Sequence, residues 1–119
     1  MEVSFHCSSE GKYYVKEFID TLPPKTVKKI IRQLELLEKY GFNFVTKSGT
    51  MKKLVGYDLY EIVIDSNKIF YRIICVIRNG VCWLINMFTK KSNKTPMRQV
   101  KTALTRMREL DLRLGLAVK

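Results

Sequence analysis

The sequence predicts a small α+β domain, an antiparallel sheet covered by an N-terminal helical hairpin and a C-terminal helix. Three observations carry that expectation. Residues 54–96 hold three runs rich in β-branched and aromatic side chains, separated by two turn signals. Apolar residues recur at helical spacing both before and after those runs. The chain has 119 residues, enough for one core and too few for two ordinary domains, so residues 1–119 read as a single domain.

Residues 3–7 form a short segment compatible with a strand, and Ser8 and Ser9 follow as candidate helix caps. Tyr14, Val15, Phe18, Ile19 and Leu22 fall at the spacing of one buried helical face, which Pro23 and Pro24 end. Pro24 suits the first turn of a second helix. There Val27, Ile30, Ile31, Leu34 and Leu37 make an apolar stripe, Lys28, Lys29, Arg32, Glu35, Glu38 and Lys39 take the outer face, and Gly41 supplies the stop. Residues 42–53 show no clear period and read as a mobile loop carrying Lys47, Lys52 and Lys53. Beyond the strands, Thr95 reads as an N-cap with Pro96 at the first helical position. Val100, Ala103, Leu104 and Met107, with Leu110 or Asp111, continue a buried stripe that leaves Lys101, Arg106, Arg108 and Arg113 outward.

The first strand, residues 59–64, stops at the turn-favouring Asp65-Ser66-Asn67. Residues 68–78 make the second, and Asn79-Gly80, suited to a two-residue type I′ hairpin, leads into the third over residues 81–88. If Arg78 faces Val81, Cys75 lies opposite Leu84 and Arg72 opposite Met87; if Asp65 faces Lys68, Glu61 lies opposite Arg72. In that register Tyr60 and Tyr71 share the expected core face with Ile62, Ile64, Cys75 and Phe88, and Trp83 lies across from Val76. Arg72 then sits mid-sheet beside a carboxylate, while Lys90, Lys91 and Lys94 gather where the last strand ends.

Composition narrows the function classes. Apolar residues at 46% and charged residues at 28% are globular values, and the longest apolar run, residues 73–77, is far short of a membrane span. No basic region precedes an apolar one at the N-terminus, so the cytoplasm is the default location. Cys7, Cys75 and Cys82 have no metal-like spacing and read as reduced, mostly core thiols. The net charge of +11 is uneven: residues 1–77 hold 12 bases and 9 acids, residues 78–119 hold 10 bases and 2 acids. Such a basic C-terminal third attracts polyanions or an acidic partner.

There is no glycine-rich phosphate loop, and His6 is the single histidine, so nucleophilic sets built on histidine have little to work with. What remains is a cationic site. Arg72, Lys90, Lys91 and Lys94 are suited to surrounding a phosphate and stabilising the charge that grows on it. A lysine crowded by other cations has its ammonium form disfavoured, which suits it to accept a proton from an RNA 2′-hydroxyl. The competing reading is structural: Arg72 and Glu61 as a cross-strand ion pair worth roughly 0.2–1 kcal/mol, with solvated lysines beyond the strand.

From Leu54 onward the text LYEIVI, FYRIICV, NG and WLINMFTKKSNKTP, closing in an amphipathic helix, resembles the HigB-like branch of the RelE/ParE toxin superfamily. The preceding EFIDTLPPKTVKKIIRQLELLEKYG resembles that family's helical hairpin. The resemblance implies a RelE/ParE-like fold and a toxin of a type II toxin–antitoxin system. It implies a metal-independent endoribonuclease that cleaves mRNA in the ribosomal A site and inhibits translation. It also implies a cognate helix-turn-helix antitoxin, operator DNA engaged only through that antitoxin, and neither cofactor nor metal nor membrane. Carried over by position, Arg72, Lys91 and Lys94 are the catalytic candidates, and Lys90, Arg78, Lys52 and Lys53 the RNA- or phosphate-binding ones. The match has a gap at Val63, where relatives often show a basic residue; Lys52, Lys53 or Arg78 would have to compensate. Two alternatives stay open: a ParE-like DNA gyrase inhibitor acting by binding, and a non-toxic basic RNA-binding module in which Tyr57, Tyr60, Tyr71 and Trp83 form an exposed stacking platform.

Overall fold

A computed structural model of the chain describes residues 1–90 and 94–116. The elements are β1 (Glu2–Phe5), α1 (Tyr14–Asp20), α2 (Pro24–Tyr40), α3 (Phe42–Lys47), β2 (Met51–Lys53), β3 (Tyr60–Ser66), β4 (Ile69–Arg78), β5 (Val81–Thr89) and α4 (Met97–Arg113). They build an α+β domain around one sheet of order β1-β5-β4-β3-β2. The central meander is antiparallel as expected, but β1 joins β5 in parallel, with Phe5 beside Leu84, so the sheet is mixed.

Residues 42–53, expected to be a loop, are ordered instead. α3 buries Val45 and β2 buries Met51 against the same core as α2, and β2 pairs with β3. Both elements are too short for a period to show in sequence, and their burial comes from neighbours distant along the chain. Ser8 caps no helix either. Its hydroxyl takes the backbone N–H groups of Glu10 and Lys12 in a turn, and α1 begins only at Tyr14.

Two turns set the registers. Asn79 and Gly80 both take left-handed backbone angles, φ 52° and 76°, so Arg78 faces Val81 and Cys75 faces Leu84 as expected. The other hairpin turns on Asn67 and Lys68, φ 53° and 64°, two residues later in register than Asp65 facing Lys68 would give. Val63 therefore opposes Arg72, and Glu61 opposes Ile74. A shift of two leaves every side chain on its face, because strand side chains alternate with period two.

The second departure changes faces. Between the Cys75–Leu84 and Ile74–Asn86 pairs, β5 carries one extra residue, Ile85, and Arg72 consequently faces Phe88 rather than Met87. Ile85 and Phe88 pack with Leu59, Ile74, Val76 and α4, whereas Leu84 and Met87 pack with α1 and α2. Phe88 is thus not on the face of Tyr60 and Tyr71, and the sheet has two apolar faces, each covered by helices. Cys75 and Cys82 are free and buried on the α2 side, where a hydrogen bond to Cys82 and then burial push the Cys75 thiol well up.

α4 is pinned across the second face by polar side chains as well as its apolar stripe. Arg106, expected outward, is half-buried: its guanidinium lies 3.5 Å from the Tyr14 ring centroid and donates to the Ile85 carbonyl and Asn86 Oδ1. Arg113 donates to the Cys7 carbonyl at 2.6 Å. His6, fully buried, meets Glu109 Oε1 through Nε2 at 2.7 Å.

Facing a carboxylate, Nε2 donates, and among the described residues Nδ1 has no hydrogen-bond partner. Protonation would add an unpaired N–H inside the protein. Burial accordingly lowers the His6 pKa, against the opposing pull of Glu109 and helped by Arg113 and Arg106. Unfolded His6 titrates near about 6.5 and takes up a proton first, so stability is full above that pH and declines as pH falls below it. Thermal melts from pH 8 to 5 should show this decline, flattened in His6→Gln. A melting temperature that rises on acidification over this range would contradict the neutral buried imidazole.

Candidate functional site: a lysine-fringed groove over a buried carboxylate

Glu61 is the hub of the site. It sits on β3 with no exposed surface, on the sheet face that α4 covers. Arg72, one strand over and displaced diagonally, donates from Nη1 to Glu61 Oε1 at 2.6 Å. Diagonal cross-strand neighbours are within reach of long side chains, which is why the pair forms although Ile74 and not Arg72 stands directly opposite. Lys52, directly opposite Glu61 on β2, brings its Nζ to 3.8 Å from the same oxygen. The other oxygen, Oε2, accepts from the Thr95 hydroxyl. One buried carboxylate thus ties β2, β4 and the chain entering α4. Thr95 was expected to cap that helix; Pro96 occupies the cap position, and Thr95 is committed to Glu61 instead.

Arg72 is 2% exposed, a buried partner of Glu61 rather than a surface cation. Lys52 and Thr95, the two other partners of Glu61, also border a groove of about 390 Å³, together with Leu54, Tyr57, Lys94 and Met97. Lys52 is half-exposed and Lys94 exposed, so two of the expected cations meet at this rim. Lys53 borders the groove too, but opposes Tyr60 and so starts from the other side of its strand. Lys90 follows β5 and donates its backbone N–H to the Phe70 carbonyl, two positions along β4 from Arg72. Lys91 lies outside the described residues.

Arg78 is not part of this cluster. It ends β4, six residues from Arg72, and its guanidinium binds Asp111 at 2.8 Å and Asp58 at 2.8 Å. Those bonds, Asp111 first, hold its pKa up. Of the residues considered as substitutes for a base at Val63, it is therefore Lys52 that stands beside Glu61 and Arg72. Sequence reasoning missed Lys52 as a partner of Glu61, Thr95 as its donor and Tyr57 as a groove wall. The first two depend on β2 pairing and on where α4 starts, neither of which leaves a local signal.

The four aromatics of the RNA-binding alternative do not form one platform, and of them only Tyr57, partly buried on the α4 side, borders the groove. Tyr71 is buried and Tyr60 packs with it against the α2-side core, while Trp83 packs toward α4 with Arg113 5.5 Å from its ring. Among the described residues no cluster of three or more His, Cys, Asp or Glu converges as a metal site, and no helix is long and apolar enough to cross a membrane.

Fold, charge and groove together define a small basic α+β protein with a lysine-fringed cleft, two of whose lining residues, Lys52 and Thr95, contact a buried Glu–Arg pair. Residues 17–108 match the family model described as Phage derived protein Gp49-like (DUF891), and the chain belongs to that family, a toxin-like family of toxin–antitoxin systems. No curated protein matches the chain.

Proposed function

We propose that this protein is the toxin of a type II toxin–antitoxin pair and an mRNA endoribonuclease of the HigB-like kind, acting in the ribosomal A site and restrained by a helix-turn-helix antitoxin. The supporting observation is the groove itself: Lys52 and Lys94 fringe it, and two of its lining residues, Lys52 and Thr95, contact Glu61 of the buried Glu61–Arg72 pair. Its chemistry is attack of an RNA 2′-oxygen on the adjacent phosphorus, with the bond from phosphorus to the 5′-oxygen breaking. One of Lys91 and Lys94 takes the 2′-hydroxyl proton and the other returns a proton to the departing 5′-oxygen. The cations offset the charge gathering on the phosphoryl oxygens. Arg72 is a positioning residue in this scheme, holding Glu61 so that Glu61 holds Lys52.

Inhibition by binding alone, as by a gyrase inhibitor, is the second reading, favoured by the burial of Arg72, which is 2% exposed. Induction in a bacterial host separates the two when growth, mRNA integrity in a translating extract and gyrase supercoiling are followed together. Growth arrest with cleaved mRNA and normal supercoiling is expected, relieved by co-expression of the antitoxin. Intact mRNA with blocked supercoiling would overturn the endoribonuclease.

A further inference from the structure

Next to the lysine-fringed groove lies a larger cavity of about 650 Å³, between the β2–β3 connection and α4, and Tyr57 and Lys53 line both. Each volume is in the range of small-ligand sites. The partition between them is firmly built. Gly56 takes φ +87° and the Tyr57 N–H donates to the Leu54 carbonyl at 3.1 Å, while Leu54 N–H closes the loop on Leu59 at 2.9 Å. The next residue, Asp58, is held by Arg78, which also grips Asp111 of α4. The Tyr57 ring packs on the α4-side core, and its hydroxyl lies 3.8 Å from Met97 Sδ.

Charge along the two cavities is uneven in a useful way. Arg78 is taken up by its two carboxylates, whereas Lys94 beside the first cavity and Arg108 beside the second are exposed and make no ion pair among the described residues. A cation, an aromatic wall and a second cation repeat the phosphate, base, phosphate order of an extended single strand, whose bases are free to stack. A duplex offers no such free base face.

We propose that the two cavities form one track for single-stranded RNA, with a nucleobase against Tyr57 and the following phosphate against Arg108, a subsite flanking the cleaved position. This rests on the RNA-cleaving reading and adds where the neighbouring nucleotide is held. The test titrates the full chain with a 2′-O-methyl RNA tetranucleotide carrying 2-aminopurine, at several salt concentrations; the blocked 2′-oxygen prevents cleavage, so binding is read alone. Wild type should quench the fluorophore. Tyr57→Ala should weaken binding about 5- to 150-fold, the value of one base stacked on an aromatic ring, and Tyr57→Phe should keep it. Arg108→Ala should reduce the slope of log affinity against log salt by about 0.7, one phosphate contact, whereas Lys28→Ala on α2, across the sheet, should leave it unchanged. Absence of quenching, undiminished affinity in Tyr57→Ala, or an equal slope change in Lys28→Ala overturns the subsite. Cleavage of mRNA in the translating extract reports on the enzyme separately, so cleaved mRNA beside a failed titration removes the subsite and leaves the function standing.

Discussion

Glu61→Ala is expected to lower the free energy of unfolding by about 3–5 kcal/mol, because it leaves the Arg72 guanidinium buried without its carboxylate. The same pair at the surface would be worth about 0–1 kcal/mol. Burial decides between these magnitudes: Glu61 has no exposed surface and Arg72 is 2% exposed. Water cannot screen the charge left behind, and Thr95 and Lys52 lose an acceptor in the same stroke. Against a total stability of about 5–15 kcal/mol the loss is large, a fall of about 10–25 °C in melting temperature. The double change Glu61→Leu with Arg72→Leu should cost much less than the sum of its singles, since no charge is then stranded in the interior. Singles that melt within about 2 °C of wild type, or losses that simply add, would remove the buried pair as a stabilising unit.

Lys94→Ala and Lys91→Ala are expected to lower mRNA cleavage by about 10²–10³-fold each, the usual effect of removing one charge-stabilising group from a transition state. Lys94 is exposed and makes no ion pair among the described residues, so its loss should change stability by no more than about 0.5 kcal/mol. That separation of activity from stability is what Arg72 cannot offer. Arg72→Ala removes a buried charge partner, so that lost cleavage would not be separable from lost folding; Arg72→Lys keeps the charge beside Glu61 but not the planar fork, and a folded variant with lowered kcat and unchanged KM would mark a positioning role. Cleavage rates in a translating extract, each variant checked by thermal melt, give the comparison. Full cleavage by both lysine variants would end the assignment of the lysine cluster to catalysis.

Much of the fold was legible because its signals are local. Asn79-Gly80 specifies its own turn, the stripe from Ile30 to Leu37 specifies the face α2 buries, and the position of Glu61 and Arg72 on a common face follows from alternation alone. Even the misplaced Asn67-Lys68 turn preserved that face, since an error of two residues does not change strand parity. One extra residue at Ile85 does change it, and moved Phe88 from one core to the other. A bulge is set by what packs on both sides of the sheet, here α4 with Asn86 and Arg106, and leaves no mark in a strand's own text.

By itself the sequence determined the class of the domain, the sign and location of its charge, and the meeting of a carboxylate with Arg72, because periodicity, turn chemistry and composition act over a few residues. Only the tertiary structure decided that this meeting is buried, that Lys52 and Thr95 complete it, that Arg78 is spent on Asp58 and Asp111, and that Tyr57 walls a groove. Each of these depends on chain segments far apart in sequence being brought within a few ångströms, and desolvation, which turns a weak surface pair into a costly one to break, exists only once they have met.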